Sequence, residues 1–338
     1  MSTSTGRRPR AIGLLDPAAR EEVLAPADLD RLRELVDLDG FCASATELGS
    51  RPDLSQVEVL VGGWGTPALD VALLGLLPSL RIVLYTAGSV RHLTTPELWR
   101  RGITVVSAAE ANNEPVAEFV VATTVLALKG THRSEAHLRS AHAHLPAHTG
   151  LGIYERAVGL VGFGSIARKV AAGLHRFGHE ILVWDPYLDD AAAAAAGVHR
   201  LDSLGELFAR SQVLSIHAPY LPGENDEMIS GAELSRLPAG ATLINTARGA
   251  LVDEEALVGV LGERTDLYAV LDVTQPEPPP ADSPLYQLDN VRLTGHVAGS
   301  IGLERRRLGR LAVDELERWC TGELLQHQVT EEQARLRA

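Results

Sequence analysis

The feature that most constrains the fold is the stretch AVGLVGFGSIARKVAA, residues 157–172, in the middle of the chain. Residues 158–161 have the short, wholly apolar character of a buried strand, and a glycine-containing turn follows them. From Ile166, apolar side chains recur at four-residue intervals, which predicts a helix. The predicted order is therefore strand, glycine turn, helix, the repeating unit of parallel α/β sheets.

The glycines of this turn favour a bound pyrophosphate. Gly162 permits a tight turn, and Gly164 has no Cβ that would keep phosphates away from the backbone amides at the start of the helix. A second apolar strand, residues 181–184, ends in Asp185, about 20 residues after Gly164, where a carboxylate binds the ribose hydroxyls of a dinucleotide. Because a carboxylate repels a 2′-phosphate, the pattern predicts NAD, with NADH preferred over NADPH.

Composition restricts the class of protein. The chain has 338 residues, of which 45% are hydrophobic and 22% charged, so it is long enough for two domains. A net charge of −13 disfavours nucleic acid or an anionic membrane as a partner. Cys42 and Cys320 lack a CxxC pattern, which is typical of free thiols in a reducing compartment. With no signal-peptide core and no apolar run of ~20 residues, we expect a cytoplasmic protein.

Strands and helices alternate along most of the sequence. Apolar runs at 11–15, 57–61, 82–84 and 103–106 predict a first parallel sheet, and the alternation resumes at residue 157 to predict seven further strands. A final amphipathic helix is predicted over residues 301–319, and residues 330–338 are expected to form a loose tail.

A histidine-rich run follows the predicted helix 112–129. Its members are His132, His137, His142, His144 and His148. Their spacing is irregular, and no carboxylate or cysteine is placed to complete a set of ligands, so we predict no metal site here.

Four segments of the second half resemble the D-isomer-specific 2-hydroxyacid dehydrogenases. They are HAP at 217–219, LINTARGALVDEEAL at 243–257, LDV with Glu277-Pro278, and GHVAG at 295–299. The NxxRGxxVDxxAL pattern in the second segment is the most specific of them. Weaker matches at 87–89 and 112–118 extend the resemblance over nearly the whole chain. It implies an α/β fold with two Rossmann-like or flavodoxin-like parallel-sheet domains and an active-site cleft between the domains.

The resemblance also implies how the chain is divided. A discontinuous substrate domain would comprise residues 1–110 and 300–338, and an NAD-binding Rossmann domain would comprise residues 111–299, with hinges near 109–115 and 295–302. Members of the family usually form dimers through the NAD-binding domain, so a homodimer is expected.

Catalysis is expected from Arg248, Glu277 and His296, as the resemblance implies. Reduction of a 2-oxo acid needs a hydride at the carbonyl carbon, a proton at its oxygen, and a cation for the carboxylate. A guanidinium can bind two oxygens at once, and an imidazole can transfer a proton near neutrality. A neighbouring carboxylate is expected to raise the pKa of His296 by ~1–3 units. Taken singly, each residue could be structural: a strand cap, a surface charge, a buried core histidine.

The resemblance assigns further contacts. The predicted cofactor-binding residues are Gly162, Gly164, Ser165, Ile166, Asp185, His217, Ala218, Pro219, Thr246, Ala247, Arg248, Asp272, His296 and Gly299. The predicted substrate-binding residues are Trp64, Gly88, Ser89, Arg91, Arg248 and His296. Within these sets, Ser165 and Ile166 would bind the pyrophosphate, Asp272 the carboxamide, and the amides of Gly88 and Ser89 the substrate carboxylate. The loop 62–65, which holds Trp64, could also be a simple turn.

Three departures from the family pattern lie where substrates are selected. Gly295 replaces the proline that commonly precedes the catalytic histidine, Arg91 and His92 stand where Asp-Asn is frequent, and the run to Tyr154 lacks the usual tryptophan. We expect NAD-dependent reduction of a small 2-oxo acid to its D-2-hydroxy acid. The alternatives are a dianionic phospho- or phosphono-oxo acid bound by Arg91, His92 and Arg248, a phosphite dehydrogenase, and an NAD(H)-sensing corepressor.

Overall fold

The computed structural model describes residues 7–145 and 151–336. The chain forms two compact units, one made of Met1–Asn113 with Ser300–Ala338 and the other of Glu114–Gly299. Within the described residues, no helix combines the length and the apolar character that crossing a bilayer requires. Cys42 and Cys320 are free thiols, as predicted.

The first unit begins with alternating strands and helices. They are β1 (Arg10–Leu14), α1 (Pro17–Val23), α2 (Pro26–Leu35), β2 (Asp37–Cys42), α3 (Ala45–Gly49), β3 (Val57–Gly62), α4 (Val71–Leu76), β4 (Ile82–Tyr85), α5 (Pro96–Arg100) and β5 (Thr104–Ser107). Polar caps start several helices: Asp16, Asp70 and Thr95 each accept a hydrogen bond from a first-turn amide. The five strands pair in parallel in the order β2-β1-β3-β4-β5, which is the flavodoxin-like order.

The second unit carries a sheet of seven parallel strands, the number predicted. Its elements are α6 (Ala109–Lys129), which starts in the first unit, α7 (Thr131–Ala141), β6 (Ala157–Val161), α8 (Ser165–Leu174), β7 (Glu180–Trp184), α9 (Asp190–Ala195), β8 (His199–Arg200), α10 (Leu204–Arg210), β9 (Val213–Ile216), α11 (Gly231–Leu234), β10 (Thr242–Asn245), α12 (Glu254–Glu263), β11 (Tyr268–Leu271) and β12 (Val291–Leu293). The sheet order is β12-β11-β10-β9-β6-β7-β8, so the winding direction reverses at β6. Ligands of doubly wound sheets bind at this reversal, beyond the carboxyl ends of the strands.

The end of the chain completes the first unit and corrects two predictions. A short 3-10 helix, Gly302–Arg305, precedes α13 (Arg306–Thr321), so the α-helix starts later than the 301–319 pattern predicts. Residues 330–336 are not a loose tail, since β13 (Gln328–Val329) pairs antiparallel with β5 and α14 (Glu331–Leu336) follows it. Val329 and Ala334 are buried in the core of the first unit, which explains why a short polar segment is ordered. Residues 337–338 lie outside the described part.

Both sheets are covered on both faces by helices. In the first unit, α13 packs Ala312, Val313 and Leu316 into the core beside α2. In the second, β6 and β10 are almost wholly buried, which fits the continuous apolar runs of their sequences. The loops that follow the carboxyl ends of these parallel strands are where a ligand is expected to bind.

Candidate active site

The glycine turn after β6 uses its two glycines for different reasons. Gly162 has a φ of +86°, and a Cβ on it would lie 2.8 Å from the backbone nitrogen of Ala218. Gly164 has an ordinary φ of −77° and would find no atom within 4 Å of an added Cβ. The first glycine is thus required by the fold, whereas the second keeps a space open beside the start of α8. That open cradle fits a dinucleotide pyrophosphate.

Helix α8 begins at this cradle with Ser165 and Ile166. Gly164 is its N-cap residue and supplies no side-chain hydrogen bond to the first amides. The first turn contains no acidic side chain that would compete for the positive end of the helix dipole. The helix start is therefore suited to bind an anion.

Asp185 follows β7 and is hydrogen-bonded to the glycine turn. Its Oδ2 accepts a hydrogen bond of 2.7 Å from the amide of Phe163, and its Oδ1 accepts one of 2.7 Å from the amide of Tyr187. A carboxylate has about four lone-pair sites, so these two bonds leave acceptor capacity for ribose hydroxyls. The glycine turn after β6 and the acidic residue after β7, which the sequence predicted separately, thus lie side by side.

The segments after β9 and β10 carry two unpartnered polar atoms. Nε2 of His217 and Oγ1 of Thr246 are buried, and neither has a hydrogen-bond partner within the described chain. Burial lowers the pKa of His217 to about 3, so its ring is neutral near pH 7. Buried polar atoms normally have partners, and these two are candidates to bind a cofactor. Ala218 lies against the glycine turn, and Pro219 accepts a hydrogen bond from Asn225 at its carbonyl.

Arg248 follows β10 and is positioned by its neighbours. Asn245 accepts from the amide of Ala247 at 3.0 Å and donates to the carbonyl of Arg248 at 3.0 Å. The guanidinium donates to the carbonyl of Ala247 at 2.6 Å. Burial lowers the pKa of Arg248, and the charge of Glu277 opposes that shift. A strong base with a nearby carboxylate remains a cation at neutral pH.

Only glycine fits at position 249, after Arg248, because of a close backbone contact that the sequence alone did not predict. A Cβ on Gly249 would lie 2.1 Å from the carbonyl carbon of Thr274 and 2.6 Å from the amide nitrogen of Gln275. The Arg-Gly pair therefore allows the loop that carries Glu277 to pass directly against the loop that carries Arg248.

Glu277 and His296 form a direct pair. Nδ1 of His296 lies 2.7 Å from Oε1 of Glu277, and the two side chains are 50% and 41% exposed. Because the carboxylate engages Nδ1, Nε2 is the ring nitrogen left for exchange of a proton with a substrate. His296 has a φ of +56°, a left-handed conformation that is uncommon for residues other than glycine. Gly295 precedes it and has open space around an added Cβ.

Asp272 organises the turn that holds His296, a role that the sequence analysis missed. It is 2% exposed, and its carboxylate accepts from the hydroxyl of Thr294 at 2.6 Å and from the amides of Val297 and Ala298 at 2.8 and 2.9 Å. Its carbonyl accepts from the amide of His296 at 3.0 Å. The predicted contact to the cofactor carboxamide would use the remaining acceptor capacity. Gly299 ends this turn and the second unit.

The substrate-binding residues predicted in the first unit lie on loops after β3 and β4. Trp64 is 39% exposed, and the Arg305 guanidinium stacks over its ring at 5.0 Å. The hydroxyl of Ser107 donates to the carbonyl of Gly88 at 2.5 Å, and the amide of Arg91 donates to the hydroxyl of Ser89 at 3.4 Å. Gly88, Ser89 and Arg91 thus share one loop.

His92, at the end of that loop, pairs with a buried tyrosine. Its Nε2 lies 3.4 Å from the hydroxyl of Tyr85, and the two rings meet edge to face. Burial raises the pKa of Tyr85 to about 12, so the tyrosine stays protonated.

His132, the first member of the histidine-rich run, makes a structural contact. His132 stacks on Tyr268 with ring centroids 5.9 Å apart, and burial lowers the pKa of His132. No group of three or more potential metal ligands occurs in residues 7–145 and 151–336. His148 lies outside the described residues.

Comparison with known proteins gives a consistent result. The family model described as "D-isomer specific 2-hydroxyacid dehydrogenase, NAD binding domain" matches residues 121–298, more than half of the chain. The chain is 31% identical to the (S)-sulfolactate dehydrogenase of Chromohalobacter salexigens over 84% of this chain and 94% of that protein.

A second relative is longer than this chain. The chain is 29% identical to the D-3-phosphoglycerate dehydrogenase of Methanocaldococcus jannaschii over 74% of this chain, but it covers only 47% of that protein. It spans about half the length of such relatives.

A solved structure extends the similarity to the first unit. The NADPH-dependent glyoxylate/hydroxypyruvate reductase of Sinorhizobium meliloti superposes with a TM-score of 0.75 at 26% identity, covering 98% of this chain and 100% of that one. The motifs, the sheet order and these matches agree, and the chain belongs to the family of D-isomer-specific 2-hydroxyacid dehydrogenases.

Proposed function

We propose that this protein catalyses the NAD-dependent reduction of a small 2-oxo acid to its D-2-hydroxy acid. The observation that carries the proposal is the pair of Glu277 and His296, joined at 2.7 Å, together with the half-buried Arg248 cation, whose pKa the charge of Glu277 raises against the effect of burial. These groups supply a proton and a positive charge, which are the two requirements of carbonyl reduction that a protein must meet.

Bound NADH supplies the hydride in this reaction. Arg248 binds the substrate carboxylate and polarises the carbonyl, because its planar guanidinium can hold two oxygens. His296 donates a proton from Nε2 to the carbonyl oxygen, and Glu277 orients the ring through Nδ1. In the reverse direction, His296 accepts the hydroxyl proton.

The first unit is proposed to bind the substrate. The amides of Gly88 and Ser89 would hold its carboxylate, and Trp64 and Arg91 would contact its side chain. Loops at the carboxyl ends of parallel strands are the usual place for such contacts.

NAD is proposed as the cofactor in preference to NADP. Asp185 is held at the glycine turn by Phe163, where its charge would repel a 2′-phosphate. The Sinorhizobium neighbour is described as NADPH-dependent, so this preference has to be measured on this protein. We expect a lower Kd for NADH than for NADPH in a fluorescence titration, and Asp185→Ala should reduce the difference.

A homodimer through the second unit is also proposed. Helices α6 and α8 line an apolar groove of about 700 Å³, with Glu114 and Glu118 on α6, Lys169 on α8 and Arg176 just after the end of α8. Lys169 pairs with Glu114 at 2.8 Å within one copy, so Glu118 and Arg176 are the acidic and basic residues proposed to complement each other in a two-fold related copy. Analytical ultracentrifugation should give twice the chain mass, and a monomer would contradict the proposal.

The direct test of the reaction is His296→Ala. Loss of the proton donor is expected to lower kcat by roughly 10²–10⁴-fold. NADH binding should be retained, because the glycine cradle and Asp185 are untouched. A variant that keeps near wild-type turnover would refute the proposed role of His296.

A second candidate substrate class is a dianionic phospho- or phosphono-oxo acid. Arg91 and His92 add basic side chains to the loop of Gly88 and Ser89, and two relatives are named for substrates that carry a second acidic group. Phosphonopyruvate should then be reduced faster than its uncharged-tail analogue, and Arg91→Ala should remove that preference. An unchanged preference in Arg91→Ala would contradict this candidate.

A further inference from the structure

The segment that carries Glu277 cannot be fixed by its own backbone donors. Residues 276–280 read Pro-Glu-Pro-Pro-Pro, so Glu277 has the only backbone N–H in the segment. A backbone with so few donors depends on contacts at its two ends. The position of the Glu277 carboxylate is therefore set by whatever holds those ends.

One end is held by a side chain of helix α12. The amide of Gln275, the last donor before the segment, bonds to Oε2 of Glu254 at 3.1 Å. The hydroxyl of Thr274 closes a local turn by donating to the carbonyl of Pro276 at 2.8 Å. At the other end, the hydroxyl of Tyr286 donates to the carbonyl of Pro279 at 3.1 Å. Glu254 is thus the link between the Glu277 segment and the helix that follows Arg248.

We propose that Glu254 is a positioning residue for the Glu277–His296 pair. This inference rests on the proposed function, in which Glu277 orients His296. The carboxylate of Glu254 fixes Gln275, and Gln275 fixes the start of the segment from which Glu277 reaches Nδ1 of His296. Loss of this bond leaves the start of the segment less firmly held, and the distance between the Glu277 carboxylate and the ring becomes less fixed.

The chain supplies a matched control at the next position. Glu254 and Glu255 both lie in the first turn of α12, where each is favourable to the helix dipole. Asp253 caps this helix by accepting from the amide of Ala256 at 2.9 Å. Glu255 is exposed, and its side chain forms no hydrogen bond with the Gln275 loop among the described residues. Glu255→Ala therefore reproduces the loss of charge without the loss of the loop contact.

Steady-state kinetics give the first test. Glu254→Ala should lower kcat by about tenfold with little change in the Kd of NADH, because small displacements of catalytic groups reduce rate strongly. Glu254→Gln keeps an acceptor oxygen and should stay within about twofold of wild type. Glu255→Ala should behave as wild type. Equal loss in Glu254→Ala and Glu255→Ala would overturn the proposal.

A double-mutant cycle separates positioning from a general structural role. In the Glu277→Gln background, adding Glu254→Ala should change kcat by less than about twofold, because the residue through which it acts has already lost its charge. The same tenfold loss in both backgrounds would overturn the proposal.

The NMR signal of the His296 ring provides a readout that needs no turnover. Histidine-labelled protein is observed at one fixed pH, and the His296 signal is identified by its absence in His296→Gln. The chemical shift of Nδ1, which lies against the Glu277 carboxylate, should move in Glu254→Ala toward its value in Glu277→Gln, while Glu255→Ala keeps the wild-type chemical shift. If Glu254→Ala alone leaves the chemical shift unchanged, the inference fails by itself. If Glu277→Gln also leaves it unchanged, the proposed role of Glu277 fails and the inference falls with it.

Discussion

Alanine substitutions at Gly162 and Gly164 should affect different properties. Gly162→Ala should lower the stability of the fold, whereas Gly164→Ala should weaken cofactor binding. At Gly162, alanine must adopt a φ of +86°, which costs about 1–2 kcal/mol for an L-residue. Its Cβ would also lie 2.8 Å from the Ala218 backbone nitrogen, and such overpacking typically costs about 1–3 kcal/mol. Gly162→Ala should therefore lower the free energy of unfolding by about 2–5 kcal/mol.

Gly164→Ala should leave the fold intact. The residue has a φ of −77° and no atom within 4 Å of the added Cβ, so the free energy of unfolding should stay the same or rise by up to about 1 kcal/mol. The methyl group would occupy the space proposed for the pyrophosphate. Loss of one charge-assisted hydrogen bond there, about 1.5–3 kcal/mol, would weaken NADH binding by about 10- to 100-fold.

Urea unfolding and NADH fluorescence titration measure the two effects on the same proteins. A Gly162→Ala variant as stable as wild type would refute the argument from conformation and contact. A Gly164→Ala variant that binds NADH with wild-type affinity would refute the assignment of the open space to the pyrophosphate.

Three further predictions each concern a single residue. Gly249→Ala should displace the Glu277 loop, because the added Cβ would lie 2.1 Å from the carbonyl carbon of Thr274, and kcat should fall by about 10²-fold. A change in kcat below twofold would contradict the requirement for glycine at this contact. Asp272→Asn replaces one acceptor oxygen with a donor that faces the amide of either Val297 or Ala298, so urea unfolding should show a loss of about 1.5–3 kcal/mol. An unchanged midpoint would argue against its role in the turn. Burial lowers the pKa of His217 to about 3, so the ring binds a proton more readily in the unfolded chain, and the free energy of unfolding should fall as pH drops from about 6.5 toward 3. This pH dependence should weaken in His217→Gln and persist in His175→Gln, a control at an exposed histidine.

Local patterns predicted the second unit well, because its key signals are close together in the sequence. The strand, the glycine turn and the helix of residues 157–174 are contiguous, and Asp185 follows at the end of the next strand. The seven-stranded parallel sheet follows from the regular alternation of apolar runs with helices.

Features that depend on distant contacts were not predictable from the sequence. The requirement for glycine at 249 arises from a loop at 274–275, and the role of Asp272 arises from amides more than 20 residues later. Residues 330–336 contain few apolar side chains, yet they are ordered because Gln328 and Val329 pair with β5, more than 200 residues away. In each case the determining partner comes from another part of the chain, which periodicity cannot show.

NADH oxidation, followed by absorbance against a panel of 2-oxo acids, tests the proposed reaction. The panel contains glyoxylate, pyruvate, hydroxypyruvate, branched and aromatic oxo acids, and phosphonopyruvate. We expect that at least one of them is reduced to the D-isomer, as shown by chiral chromatography, and that His296→Ala loses this activity while still binding NADH. Absence of turnover across the panel with NADH binding intact, or formation of the L-isomer, would contradict it.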